Sequence, residues 1–341
     1  MPRSINYVYG TSDDDDLFGT DHAEIIIGFG GDDWLYGYGS YDALYGGSGE
    51  DWLWAGEGND ALYGGNDADH LFGSEGDDTL EGGAGADHLS GGDGTDRASY
   101  ISSGAGVTVT LVTGNGYGGH AQGDTLFGIE NLQGSDHNDW LIGNDGANEI
   151  RGEDGNDTLM GNGGDDEFRN GDGDDTVFGG DGEDTLWGDP GNDKLYGDNQ
   201  NDWVFGGSGN DTLVGGEGND HLNGGADKDI LTGGGGADTF AFYHGLGADA
   251  DWVADFSHAQ GDTINPQLDA NVNLPDNQPF TFIGTADFTG VAGELRYEFH
   301  NMKAGYDDYT AVSVDVNGDA VADYAIHCKG NITFVVADFI L

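Results

Sequence analysis

Cations are almost missing from this chain: nine Lys and Arg stand against 65 Asp and Glu, for a formal net charge of −56. So negative a chain repels phosphate backbones and anionic lipid, and it is predicted to bind neither nucleic acid nor membrane headgroups directly. One cysteine, Cys328, excludes a disulfide framework, and five prolines exclude a collagen-like helix despite 67 glycines. No apolar run approaches a membrane span, and the opening MPRSINYVYGTSDDDD holds no apolar signal-peptide core, so neither segment is expected. What is present argues against disorder. Hydrophobic residues make up 36% of the chain, with 16 Phe, 15 Tyr and 7 Trp.

The chain advances in steps of nine. GFGGDDWLY (28–36), GGSGEDWLW (46–54) and AGEGNDALY (55–63) share a register that runs from Gly10 to Ser99, and resumes from Gly134 to Ala241 through GEDGNDTLM (152–160) and GGEGNDHLN (215–223). Of 22 such nonads, all carry an apolar residue at the eighth position, and 20 carry Asp at the sixth, Glu24 and Asn148 being the exceptions. Apolar residues nine apart cannot share one helix face through paired glycines. A three-residue strand with its centre inward and a six-residue Gly-rich turn fits the step. Two nonads then form one turn of a solenoid, and each turn buries only two large side chains. That core is too thin to offset the ordering of a glycine-rich backbone, so a bound species is required.

The turn G-G-x-G-x-D offers a carboxylate and backbone carbonyls, hard oxygens that suit Ca²⁺, whereas thiolates are missing and histidines are few, which argues against Zn²⁺ or copper. The pattern resembles the calcium-binding nonapeptide of RTX (repeats-in-toxin) proteins. The resemblance implies an all-β fold, a right-handed parallel β-roll, with ions held between turns eighteen residues apart by the second, fourth and sixth positions. In the first block the implied ligands are Asp33 and Asp42, then Gly47, Gly49 and Asp51, Gly56, Gly58 and Asp60, Gly65, Asp67 and Asp69, Gly76 and Asp78, Gly83, Gly85 and Asp87, and Gly92, Gly94 and Asp96. In the second they are Gly155 and Asp157, Gly164 and Asp166, Gly171, Gly173 and Asp175, Gly180, Gly182 and Asp184, Gly191 and Asp193, Asp202, Gly207, Gly209 and Asp211, Gly216, Gly218 and Asp220, Gly225, Asp227 and Asp229, and Gly234, Gly236 and Asp238. Up to about 18 ions would bring the net charge to roughly −20. For the irregular nonads 19–27 and 143–151 a solvated turn is an equal expectation.

Four segments follow: a first repeat block (1–99), a connecting insert (100–133), a second block (134–241) and a β-rich cap (242–341). The insert holds the alternating VTVTLV (107–112) and reads as a bulged-out extra turn. The cap reads as strands at 280–284, 294–299, 310–316, 324–328 and 332–339, covering the open solenoid end. Three stretches, 284–297, 315–323 and the terminal Asp338-Phe339-Ile340-Leu341, resemble the C-terminal region of serralysin-type secreted metalloproteases. There the terminal tetrapeptide belongs to an uncleaved signal for type I (ABC) secretion. Asp315, Asn317, Asp319 and Asp323 have the spacing of a loop calcium site, with an Asx-type turn as the alternative.

No catalytic motif is found. None of the ten histidines begins the H-E-x-x-H of a zinc protease, a G-x-S-x-G elbow is absent, and Cys328 reads as a core thiol. Arg151 and Arg169 stack eighteen apart and could hold a uronate, but Glu149 and Glu167 beside them favour an ion-pair ladder. On alternate nonads of the first block the seventh and ninth positions hold Phe18, Trp34, Tyr36, Trp52, Trp54, His70, Phe72 and His88. These predict an aromatic face at the strand spacing of roughly 4.8 Å. Trp34, Tyr36, Trp52, Trp54 and Phe72 would form a platform for a glycan or a second copy, or else be covered internally. The expected function is that of a secreted, non-enzymatic calcium-binding protein of a bacterium, extracellular or on the cell surface, exported by a type I apparatus. The alternative is a glycan-binding protein or a polysaccharide lyase.

Overall fold

A computed structural model describes residues 6–242, 250–266, 280–300 and 308–340. The chain forms two compact units, Met1–Asp172 and Gly173–Leu341. Within each, the nonads form parallel strands that alternate between two sheets.

In the first unit, one sheet runs through Glu24–Gly30, Ala43–Ser48, Ala61–Asn66 and Thr79–Ala84, with Asn6–Tyr9 at its edge. The other runs through Asp16–Thr20, Trp34–Gly39, Trp52–Glu57, His70–Glu75 and His88–Asp93. The register is that of the double repeat, Leu35 opposite Leu53 and Leu44 opposite Leu62. Six residues rather than three are extended, from the seventh position of one nonad to the third of the next. Second and third positions also pair, as Gly47 with Gly65 and Ser48 with Asn66. The left-handed backbone at Gly47 (φ 120°) and Gly49 (φ 119°) turns the chain without leaving the ladder.

Eighth-position residues from Ile26 to Leu89 are fully buried. The first position also faces inward and, apart from Ala55 and Asn170, is glycine for a steric reason. A Cβ on Gly46 would come within 3.0 Å of both the Asp51 carboxylate and the Gly64 carbonyl.

The insert does more than bulge. Thr125–Phe127 pairs in parallel with His88–Asp93, and Asn131–Gln133 with Arg97–Ser99, so Leu126 and Leu132 continue the core as a further turn. Thr108–Thr110 and Asn115–Tyr117 add an antiparallel hairpin, of which Thr108–Thr110 pairs with Trp140–Ile142.

In the second unit one sheet contains Thr185–Trp187, Trp203–Ser208, His221–Ala226, Thr239–Ala241 and Thr263–Asn265. The other contains Thr176–Asp181, Lys194–Asn199, Thr212–Glu217, Ile230–Gly235 and Asp251–Val253. The cap is an antiparallel sheet of Glu294–His300, Tyr309–Asp315 and Tyr324–Lys329, joined to the roll where Val253 pairs with Cys328. The strand expected at 332–339 does not form: residues 332–335 are irregular and Val336–Asp338 is a 3₁₀ turn. Asp338 accepts the Val335 N–H and the His258 ring, which closes the chain on itself. Likewise only Thr281–Phe282 is extended within 280–284.

Candidate metal centres in the turns

Each regular turn places its sixth-position aspartate inward, at the start of the strand. Asp51 is fully buried; its Oδ1 accepts the Asp33 N–H at 2.8 Å, and its own N–H donates to Asp69 Oδ1 at 2.8 Å. The same clamp links Asp42 to Asp60 and Asp60 to Asp78. In the second unit it links Asp193 to Asp211, Asp202 to Asp220 and Asp211 to Asp229. One carboxylate oxygen thus tethers the turn before it. The other, in Asp33, Asp42, Asp51, Asp60, Asp69, Asp78, Asp87, Asp96, Asp193, Asp202, Asp211, Asp220, Asp229 and Asp238, is buried and accepts no hydrogen bond.

Carbonyl oxygens of the second and fourth positions line the same turns. Those of Phe29 and Gly31, at the second and fourth positions, point at Gly47 and Gly49 of the next turn so closely that a Cβ there would come within 3.0 Å of them. Gly47 and Gly65 repeat this toward Gly65 and Gly83, and Asp189 and Gly191 toward Gly207 and Gly209. Of the glycines implied as ligands, all except Gly85 and Gly191 adopt positive φ, as do Asp67 and Asp227 at the fourth position. Among the described residues no three His, Cys, Asp or Glu side chains cluster as a metal site. The oxygen set is therefore mostly backbone, with stacked carboxylates, a composition that fits Ca²⁺ and few other ions.

The electrostatics call for a cation. Burial, opposed by the N–H bond and reinforced by stacked neighbours, pushes Asp51 and Asp96 up to about 7 and Asp69 to about 8. Asp193, Asp202 and Asp229 rise to about 8 for the same reasons. A buried carboxylate with an unpaired oxygen is costly unless a positive charge or a proton joins it.

The irregular turns solve this differently. In four turns the second-position residue is not glycine and does not adopt positive φ, and there the sixth-position side chain accepts a hydrogen bond from within its own turn, whereas Ser74, at φ 90°, leaves Asp78 Oδ2 unbonded. Thr11 N–H donates to Asp15, Thr20 N–H and hydroxyl to Glu24, Ser135 N–H to Asp139, and Asn144 N–H to Asn148. Sequence reasoning missed two aspartates with the regular signature, Asp124 and Asp251. Each follows an interruption in the nine-residue step, and the signal that could have found them is an Asp two residues before an inward-facing apolar residue, Leu126 and Val253.

The aromatic residues form two columns on one sheet. Trp34, Trp52, His70 and His88 align in one, and Phe18, Tyr36, Trp54 and Phe72 in the other. Successive rings stack face to face up to His70, with Tyr36 on Trp54 at 4.9 Å and 5°, Trp54 on Phe72 at 5.4 Å and 9° and Trp34 on Trp52 at 5.6 Å and 19°, while His88 is tilted by 51° from His70. Their faces cover one another, and ring edges point outward. Phe18, Trp34 and Phe127 are 53%, 42% and 56% exposed. The N-terminal strand pairs on the opposite sheet, and the insert's Phe127 meets His88 at 5.0 Å, lengthening the face.

In the loop after Tyr309–Asp315, both oxygens of Asp315 accept N–H groups, from Gly318 and Ala320, and Asp323 accepts those of Val316 and Asn317. Asn317 and Asp319 each accept an N–H two residues on, as in Asx turns. Arg151 pairs with Glu149, which also binds Arg97 at 2.6 Å, and Arg169 pairs with Glu167 at 2.9 Å, the expected ion-pair ladder. Asp338 and Phe339 are buried in the cap, Ile340 is exposed, and Leu341 lies outside the described residues. Cys328 is fully buried, which pushes its thiol far above the ordinary value.

No curated protein matches the chain. The family model of the RTX calcium-binding nonapeptide repeat matches residues 9–44, 27–62, 36–71 and 63–98, then 133–168, 169–204 and 205–240, leaving the insert between them unmatched. With more than half of its length matched and its turns carrying the oxygen arrangement above, the chain belongs to the RTX calcium-binding nonapeptide repeat family.

Proposed function

We propose that this is a secreted calcium-binding protein whose folding is driven by extracellular Ca²⁺ and whose role is binding or surface adhesion, without catalysis. RTX repeat proteins are generally secreted bacterial proteins. The observation that carries the reading is the row of buried aspartate oxygens that accept no hydrogen bond. The sixth-position aspartates and the carbonyls at the second and fourth positions would hold the ions, up to about 18 in the two blocks. Bound calcium would supply the positive charge that lets these carboxylates be buried ionised. Loop 315–323 is left out of this count, because its carboxylates are engaged by backbone N–H groups. The four segments, 1–99, 100–133, 134–241 and 242–341, would act as first block, connector, second block and cap.

Export would proceed by a type I apparatus that reads the tail from Asp338 to Leu341 before the chain folds. Burial of Asp338 and Phe339 in the folded cap supports that order of events. Removing the four residues should retain the protein in cells with a cognate transporter, and unchanged secretion would count against this part of the reading.

The aromatic face favours a second reading, glycan binding or self-association through Trp34, Tyr36, Trp52, Trp54 and Phe72. Since the rings stack on each other, a partner would meet their edges, with an open ring face only at a column end. A glycan array and an assay for unsaturated ends on acidic polysaccharides separate binder, lyase and neither.

A further inference from the structure

Among the described residues, two aspartates outside the nonads share the buried, unbonded carboxylate oxygen of the repeat aspartates. One, Asp124, has the buried Tyr100 hydroxyl beside it, a proton donor that can serve its charge. The other, Asp251, has a second carboxylate. It opens strand Asp251–Val253, which pairs in parallel with Ile230–Gly235 so that Asp251 falls opposite Asp229. Its Oδ1 accepts the Asp229 N–H at 3.0 Å, reproducing the clamp of the regular turns. The offset is 22 residues instead of 18, which is why the nine-residue step and the family match, ending at residue 240, both stop short.

Neighbouring acids behave differently. Asp255 accepts the N–H groups of Gly233 and Gly234, each at 2.9 Å, and Asp262 accepts those of Asp238 and Ser257. Both cap the last turn with their oxygens occupied. Asp251 is 0% exposed, and its Oδ2 is left beside Asp229, whose own Oδ2 also accepts no hydrogen bond. Two buried, unbonded carboxylates on adjacent rungs are costly unless a proton or a cation joins them, and one cation shared between them serves both.

Building on the calcium reading above, we propose that Asp251 is a ligand of one further calcium ion, shared with Asp229 and the carbonyls of Gly225 and Asp227. This ion extends the ladder one rung past the last nonapeptide. Because Asp251–Val253 also pairs with Tyr324–Lys329, the same ion fastens the cap sheet to the final repeat turn.

The test uses the full chain, saturated with calcium and dialysed, with bound calcium counted by atomic emission. Asp251→Asn should bind one ion fewer than wild type, whereas Asp255→Asn should bind the full number. A full count in Asp251→Asn overturns the proposal. A wild type that binds no calcium overturns the family-level reading instead, so the two failures are distinguishable. Should Asp251→Asn not fold, terbium replaces calcium, and Trp252, adjacent to the site, serves as antenna. Trp252→Phe should then lose part of the sensitised emission that calcium displaces, and unchanged emission would overturn the assignment.

Discussion

A sixth-position aspartate has two oxygens with separate tasks. In Asp69, Oδ1 accepts the Asp51 N–H, and Oδ2, buried without a hydrogen bond, is the oxygen proposed to meet a cation. Asp69→Asn keeps the acceptor and removes the charge, so it should raise the calcium concentration at the folding midpoint while leaving a foldable chain. Asp69→Ala also strands a buried N–H, and should cost about 1–3 kcal/mol more. Circular dichroism during calcium titration checks both. The pH dependence has a definite sign. Asp69, Asp193, Asp202 and Asp229 are raised to about 8, above the unfolded value, by burial with stacked carboxylates adding to it. The metal-free fold is therefore stabilised fully below about pH 4, and that contribution is lost progressively as pH rises above it and through the folded value of about 8. In chelator the chain should gain β structure when acidified from pH 8 to 4; equal disorder at both would contradict this. The sixth-position acids were legible because the step of nine exposes them. That the backbone N–H groups of Thr11, Thr20, Ser135 and Asn144 bond the sixth-position side chain of their own turns was not, since it depends on the second-position backbone leaving the left-handed region.

Strands here are lengthened by their glycines. The inward leucines and the alternation between two sheets followed from the sequence period, whereas pairing through the second and third positions needed the left-handed turns to be seen. Gly47→Ala forces a Cβ into the Phe29 carbonyl at a φ of 120°, and should destabilise the calcium-bound fold by roughly 1–3 kcal/mol or more. Ser48→Ala, exposed one residue on, should be nearly neutral, and comparing their thermal midpoints tests the point. The alternating ITFVVADF reads as a strand, yet the contact of Asp338 with His258, eighty residues away, closes it into a turn. No local pattern carries that contact. On the aromatic face, Trp34→Thr with Trp52→Thr should leave the calcium-induced fold intact, because both side chains lie outside the core and Thr suits a strand. The same pair should abolish glycan binding or self-association, whichever the wild type shows. Failure of the double variant to fold in calcium would instead make the columns a structural element.

At the scale of the molecule the dominant fact is charge. A net −56 is concentrated in turns that stack carboxylates at sheet spacing over a core one or two side chains thick. Without cations, repulsion and chain entropy oppose folding together; with calcium, binding free energy becomes folding free energy. Under the export route proposed above, low cytosolic calcium would keep the chain extended, and the extracellular concentration would fold it. The most direct test is far-UV circular dichroism of the full chain at neutral pH, first in excess chelator and then with millimolar calcium. The account predicts a largely disordered spectrum that converts to β structure on calcium addition, and reverts when chelator returns. A chain that shows the same β spectrum in chelator as in calcium would contradict it.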